Sequence, residues 1–159
     1  MSLLAERLKR IKPSPTIAIN TKANDLKRAG NDVVSLAAGE PDFDTPTHVV
    51  DAAIDAMRRG ETKYPPPAGI PELREAIVSK FKRDNNLEYS IDEVCVTVGG
   101  KQVIFNAMMA TLSGGDEVII PAPYWVSYSA IAMLSEATYI EVPSSIETDF
   151  KISVDKNLD

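Results

Sequence analysis

Apolar residues recur every three or four positions in long stretches of the chain, which is the spacing of a helix with one buried face. Serine or proline opens several of these stretches and glycine closes some of them, as at helix ends. The predicted helices cover residues 2–11, Ser14–Gly30, Thr45–Gly60, Pro71–Arg83, Lys101–Leu112 and about 124–134.

Short runs of apolar and β-branched residues between these helices predict strands. They lie at Val33–Ala38, Val94–Val98, Glu117–Ile120 and about 138–142. The run Val94–Val98 is typical of a strand covered on both faces, so Cys95 is expected in the core, and Glu117–Ile120 is expected to be another buried strand. Strands that alternate with helices in this way predict an α/β domain.

The composition argues against some classes of function but does not identify the function. The chain has 159 residues, 44% of them apolar and 25% charged, as in an ordinary globular domain. With one cysteine, Cys95, and one histidine, His48, we expect no internal disulfide, no metal site and no Ser-His-Asp triad. The net charge of −6 argues against a nucleic-acid partner. The chain has neither a long apolar run nor the apolar stretch of a signal peptide, so we expect a cytoplasmic protein without a membrane partner.

The turn Val98–Lys101, which contains two glycines, joins a predicted strand to a predicted helix. Backbone amides at the start of a helix point outward and favour an anion, and glycine lets a phosphate approach closely. The turn has neither the spacing of a nucleotide P-loop nor that of the three-glycine dinucleotide fingerprint. It predicts a phosphate site, and the alternative is a plain tight turn.

Trp125, the single tryptophan, follows the predicted strand Glu117–Ile120. Ligands of open α/β sheets bind beyond the carboxyl ends of the strands, where an indole ring can stack on a flat ligand. The alternative is a tryptophan that fills core volume beneath the next helix. A phosphate site and an aromatic ring at two strand ends together suggest a planar phosphorylated cofactor.

Two further candidates stand in turns. Gly39 ends an early predicted strand and could expose main-chain groups to a ligand, but a simple turn explains it as well. Tyr64 stands at the rim of a proline-rich loop, where its phenol could bind an oxyanion. An aromatic side chain at the solvent edge is the alternative for Tyr64.

Several segments of the chain resemble one known family, in the same order along the sequence. They are Ser14–Thr16, Leu36–Pro46, Tyr64–Ile77, Thr97–Gln102 and Gly114–Tyr128. The resemblance is to fold-type I pyridoxal-phosphate enzymes, specifically class I aspartate aminotransferases of the prokaryotic Ib type. It implies a mixed, mostly parallel sheet flanked by helices. It also implies that residues 1–45 contribute to a small domain and that residues 46–159 begin the large cofactor domain.

The resemblance implies a cofactor, pyridoxal 5'-phosphate, and the residues that hold it. In the family, main-chain amides matching Gly99, Gly100 and Lys101 bind the cofactor phosphate. The aromatic residue matching Trp125 stacks on the pyridine ring. The tyrosine matching Tyr64 reaches the cofactor phosphate of the other subunit, which implies a homodimer with shared active sites.

Three positions match substrate contacts of the family. The backbone at Gly39 meets the substrate α-carboxylate, and the indole N–H of Trp125 reaches a dicarboxylic substrate. Lys12 matches a lysine associated with prephenate in a subgroup of these enzymes. The resemblance therefore implies amino-acid and 2-oxo-acid substrates, with prephenate as a further one.

No catalytic residue of the family has a match in this sequence. The Schiff-base lysine is not matched by Lys80, which falls among the polar positions of a predicted helix. We therefore expect the N-terminal part of an aminotransferase that exchanges amino groups between aspartate or glutamate and 2-oxo acids. The alternatives are an aminotransferase for alanine, aromatic or kynurenine-like substrates, a C–S lyase on the same scaffold, or a catalytically inert fragment for dimerisation or structure.

Overall fold

The computed structural model describes residues 3–37 and 39–152. The helices are α1 (Pro15–Arg28), α2 (Thr47–Arg58), α3 (Pro71–Asn85), α4 (Gly99–Thr111) and α5 (Ser127–Leu134), and the strands are β1 (Glu117–Ala122) and β2 (Thr138–Pro143). Short 3-10 turns lie at Glu6–Arg10, Ile91–Glu93 and Ile146–Thr148. Among the described residues, every helix is too short or too polar to cross a membrane.

The helix start and stop signals of the sequence are confirmed most clearly in α1. The Oγ of Ser14 accepts a hydrogen bond from the Ile17 amide at 3.4 Å, and Pro15 is the first helical residue. Gly30 follows the helix with a φ of +85°, a left-handed conformation that glycine adopts without steric cost. Ser14 and Gly30 define the two ends of α1. Ser14 gives an acceptor to an amide that has no partner within the helix, and Gly30 adopts the backbone conformation that ends the helix.

The chain forms two compact units. Gly39–Val98 is one, and the described residues before and after it form the other. In the second unit β1 and β2 are parallel, with Glu117 opposite Thr138 and Ala122 opposite Pro143. α5 connects the two strands and packs on both of them and on α4. The buried apolar residues of this layer are Ile120, Ile131, Ala132, Ala137 and Val142.

Within Gly39–Val98, α3 is tied to the segment that follows it by a half-buried arginine. The Nε of Arg74 donates to the Val94 carbonyl at 2.9 Å, and its Nη2 donates to the Ile91 carbonyl. The Val96 amide donates to the Ala68 carbonyl at 2.9 Å. Residues 94–96 are therefore held by a side chain and by the proline-rich loop.

Two predicted strands are wrong. Residues 33–37 and 94–98 pair with no other strand of the described chain, and Ala38 lies outside the described residues. Val98 is 89% exposed. β-branched composition favours an extended backbone, but a strand also requires a neighbour for its amides and carbonyls.

Three smaller predictions also need correction. Cys95 is exposed, not a core residue, because the segment around it has no covering layer on that side in the described chain. The helical pattern of residues 2–11 gives only the 3-10 turn Glu6–Arg10 within the described residues. The strand β1 is not buried throughout, since Ile120 is 4% exposed but Ile119 is 49% exposed.

Candidate functional site

The two glycines of the predicted phosphate turn form the start of α4. The helix begins at Gly99, two positions earlier than the pattern predicts, so Gly99, Gly100 and Lys101 lie in its first turn. A Cβ added to Gly99 or Gly100 would meet no atom within 4 Å, so the surface over this turn is open. First-turn amides, such as those of Gly100 and Lys101, have no acceptor one turn earlier in the helix, and the helix dipole adds positive potential.

Trp125 follows β1 and projects from the loop that connects this strand to α5. Its side chain is 43% exposed, which argues against the core alternative. Tyr128 contacts it edge-on, with ring centroids 5.7 Å apart and planes at 85°. The Nζ of Lys101 lies 4.5 Å from the centroid of the Trp125 ring, within cation–π range. The structure therefore brings the start of α4 and the Trp125 ring together.

A cleft of about 590 Å³, here called the Trp125 cleft, lies beside this pair. One wall is the segment 10–17, which runs into α1, and the other includes Lys101, Trp125 and Tyr139. Lys12 lies on the first wall. Three of the residues that the sequence analysis selects as site residues, Lys12, Lys101 and Trp125, thus line one cleft.

The charge of the Trp125 cleft is opposite to that of the chain. Arg10, Lys12 and Lys101 line it, and the described lining residues include no carboxylate. The chain as a whole carries a net charge of −6. Three cations in a concave surface concentrate positive potential there, so the cleft favours a ligand with more than one negative charge.

Hydrogen bonds connect the end of β1 and the loop that follows it to β2 and to Ser144, the residue after β2. The carbonyl of Ala122 accepts hydrogen bonds from the amide of Ser144, at 3.0 Å, and from its hydroxyl. The hydroxyl of Tyr124 donates to Oε2 of Glu141 at 2.9 Å. This bond is the main cause that raises the pKa of Tyr124 above its usual value.

The sequence pattern does not single out Tyr124 or Glu141. They are 17 positions apart in the chain and meet only because the β1–β2 register sets Ile120 opposite Glu141. The only signal in the sequence is the neighbourhood of Trp125. Pairing across a sheet is a non-local feature that hydrophobic spacing does not reveal.

Two other predicted site residues, Gly39 and Tyr64, belong to the unit Gly39–Val98. Gly39 lies in an exposed loop, and an added Cβ would meet no atom within 4 Å. The Tyr64 side chain is fully exposed, at 102%. The contacts that the resemblance implies for these two residues stay predictions.

The remaining candidates have ordinary surroundings. The Nζ of Lys80 donates to Oδ1 of Asn85 at 2.7 Å on the exposed face of α3, as expected for a solvated lysine. His48 is exposed in α2. Within the described ranges, no group of three or more histidine, cysteine, aspartate or glutamate residues could hold a metal ion.

Solved structures of fold-type I aminotransferases resemble the chain over nearly its whole length, which confirms the predicted fold class. The aspartate aminotransferase from Thermus thermophilus with maleate is 51% identical with a TM-score of 0.92, over 96% of this chain and 40% of that one. The aspartate aminotransferase from Rhizobium meliloti is 48% identical with a TM-score of 0.89, over 96% of this chain and 38% of that one.

Residues 31–159 match the aminotransferase class I and II family, and the chain belongs to this family. A probable aspartate/prephenate aminotransferase from Rhizobium leguminosarum is 57% identical, over 96% of this chain and 38% of the relative. An aspartate/prephenate aminotransferase from Nitrosomonas europaea is 52% identical, over 96% and 38% respectively. The chain therefore spans about two fifths of the length of these relatives.

Proposed function

We propose that this chain is the N-terminal part of a pyridoxal-phosphate-dependent aminotransferase that exchanges an amino group between aspartate or glutamate and 2-oxo acids. The observation that carries the proposal is the Trp125 cleft, where the first turn of α4 and an exposed indole ring meet. Membership of the aminotransferase family supports it, as do relatives that are named for this activity.

The Trp125 cleft and the start of α4 beside it fit pyridoxal phosphate. The open glycines at the start of α4 leave room for a phosphate beside the amides of Gly100 and Lys101. The exposed ring of Trp125 offers a face for a pyridine ring. When bound, the cofactor supplies an aldehyde and an electron-withdrawing ring for amino transfer. The part of this chain is to bind and orient that group.

The cations of the cleft support a dicarboxylic substrate. Lys12 and Lys101 lie on its two walls, and the indole N–H of Trp125 adds a hydrogen-bond donor. One relative was solved with maleate, which is a dicarboxylate. We propose that Lys12 extends acceptance to prephenate, and that the backbone at Gly39 contacts the substrate α-carboxylate.

Lys12→Met in the full-length enzyme tests the assignment of Lys12. We expect kcat/KM for prephenate to fall about tenfold or more, because a charged hydrogen-bond partner of the substrate is lost. Aspartate turnover should fall less. Lys27→Met, at the exposed end of α1, removes the same charge outside the cleft and is the matched control. Equal effects of the two substitutions on prephenate would contradict the role of Lys12.

The proposal includes a homodimer in which Tyr64 of each subunit contacts the cofactor phosphate of the other. A fully exposed tyrosine on a loop with three prolines is suited to an intermolecular contact, since the stiff loop limits its freedom. It also includes a small domain to which residues 1–45 contribute and a large cofactor domain that begins with residues 46–159.

An activity screen of the full-length protein separates the proposed reaction from the alternatives. We expect a visible absorbance band of bound pyridoxal phosphate and amino exchange between aspartate and 2-oxoglutarate. Preference for alanine, aromatic or kynurenine-like donors would indicate another aminotransferase. Release of pyruvate and ammonia would indicate a C–S lyase. Neither absorbance nor turnover would indicate a structural or dimerisation role.

A further inference from the structure

The ring of Trp125 is only partly enclosed. It is 43% exposed, and its aromatic and cation–π contacts are with the edge of Tyr128 and the flexible ammonium of Lys101. An aromatic ring that stacks on a ligand gains most when its orientation is fixed before binding, because binding then costs less conformational entropy. The backbone of its loop therefore helps to fix the orientation of Trp125.

Two points connect that backbone to β2 and to Ser144 just after it, in addition to the hydrogen bond that the Tyr128 amide donates to the Trp125 carbonyl at 3.0 Å. The first is the Ala122 carbonyl, which accepts hydrogen bonds from the amide and the hydroxyl of Ser144. The second is the hydroxyl of Tyr124, 2.9 Å from Oε2 of Glu141. Tyr124 directly precedes Trp125, so of these two points the second lies closer to the indole ring.

The backbone of Glu141 has a fixed position because it lies within the parallel sheet. It pairs in register with Ile120 of β1, and its neighbour Val142 is buried. A hydrogen bond to a carboxylate is stronger than one between neutral groups. A tyrosine hydroxyl is protonated, and therefore a donor, at neutral pH, and the hydrogen bond to Glu141 raises the pKa of Tyr124 further above that range.

We propose that Tyr124 is a positioning residue, whose hydrogen bond to Glu141 holds the Trp125 ring in the orientation that stacks on a flat ligand. Tyr124 acts through the loop and does not touch the ligand. The identity of that ligand as pyridoxal phosphate rests on the proposed function. The positioning of the ring is a property of this chain alone.

Tyr124→Phe and Glu141→Ala in the full-length enzyme remove the hydrogen bond from either side. We expect each to weaken pyridoxal-phosphate affinity about fivefold, which corresponds to about 1 kcal/mol at 25 °C. We also expect a smaller induced circular dichroism per bound cofactor, since the ring no longer orients it uniformly. Glu141→Gln keeps an acceptor oxygen for Tyr124 and should restore most of both signals.

Tyr89→Phe is the matched control. This substitution also removes a tyrosine hydroxyl. The Tyr89 side chain is 43% exposed, and its ring packs on Phe81 within the unit Gly39–Val98. We expect wild-type affinity and circular dichroism for this variant. If Tyr124→Phe behaves like Tyr89→Phe, or if Glu141→Gln is as impaired as Glu141→Ala, the proposal is overturned.

A second readout tests the positioning without any cofactor. The fluorescence of Trp125 is obtained as the difference between a protein and its Trp125→Phe counterpart, and its emission anisotropy reports how freely the ring moves. We expect Tyr124→Phe to lower this anisotropy and Tyr89→Phe to leave it unchanged. An unchanged value in Tyr124→Phe overturns the inference. A wild-type enzyme that binds no pyridoxal phosphate contradicts the proposed function instead.

Discussion

Trp125 is the central residue of the proposed cofactor site. A tryptophan that served only to fill the core would be covered, whereas this side chain is 43% exposed beside the ammonium of Lys101. Its exposed face is available to a flat partner, and its N–H to an acceptor. Replacement of Trp125 by alanine and by phenylalanine should therefore change the cofactor affinity to different extents.

Trp125→Ala in the full-length enzyme removes the stacking ring. We expect pyridoxal-phosphate binding to weaken by about 0.5–1.5 kcal/mol beyond the loss of contact area, as for other aromatic pairs. Trp125→Phe keeps a ring and should recover most of the affinity but not the N–H contact to substrate. Equilibrium titration with the cofactor measures both variants. An affinity of the Ala variant equal to wild type would exclude Trp125 from the site.

Gly69 is a second residue with a sharp structural requirement, this time for folding. Its φ is +99°, and an added Cβ would lie 2.6 Å from Cγ2 of Val96. Gly30 has a similar φ of +85° but no atom within 4 Å of such a Cβ. The two glycines therefore separate backbone strain from steric overlap.

Gly30→Ala should lower the free energy of unfolding by about 1–2 kcal/mol, the cost of a side chain in a left-handed conformation. Gly69→Ala should cost about 1–3 kcal/mol more, because Val96 must move or leave its rotamer. Denaturant unfolding of the full-length protein compares them. Equal losses in the two variants would show that the overlap at Val96 relaxes freely.

At the scale of elements, local signals predict the five α-helices of the described chain, although residues 2–11 give only a 3-10 turn there, whereas only two of the four predicted strands form. The N-cap at Ser14 and the glycine at Gly30 fix α1 because both act within one turn of the chain. The runs at 33–37 and 94–98 are as apolar as β1, but they pair with no strand in the described chain. Sequence pattern predicts which residues tolerate an extended backbone, whereas hydrogen-bonded partners decide whether a strand forms.

The 3-10 turn Ile91–Glu93 contributes a pH-dependent term to stability. Oε2 of Glu93 accepts hydrogen bonds from the amide of Ser90 at 2.8 Å and from its hydroxyl at 3.0 Å. The amide is the larger cause and the hydroxyl the smaller cause that lower the pKa of Glu93 below its usual value. A lowered pKa stabilises the folded state above the pKa of the unfolded chain, and this stabilisation is lost as pH falls through the folded pKa.

Ser90→Ala removes the smaller of the two causes. We expect the pKa of Glu93 to rise only part of the way to its usual value, because the amide of residue 90 still donates to the carboxylate. Carboxyl NMR titration measures the change, and Ser79→Ala, on the exposed face of α3, is the control. A pKa of Glu93 that does not change in Ser90→Ala would contradict the contribution of the hydroxyl.

At the scale of the whole molecule, the sequence predicts the fold class and part of the site. The glycine turn and the lone tryptophan are local features, so Gly99, Gly100 and Trp125 can be selected from spacing alone. The sharing of one cleft by Lys12, Lys101 and Trp125 depends on where the segment 10–17, the start of α4 and the β1–α5 loop lie in the fold, which spacing does not give. The Tyr124–Glu141 bond likewise needs the sheet register.

We propose that the first turn of α4 and Trp125 hold one cofactor between them. A crystal structure of the full-length enzyme with pyridoxal phosphate measures this directly. We expect a phosphate within hydrogen-bond distance of the Gly100 and Lys101 amides and a pyridine ring stacked on Trp125. A cofactor bound with its phosphate away from α4, or with no contact to the indole ring, would contradict it.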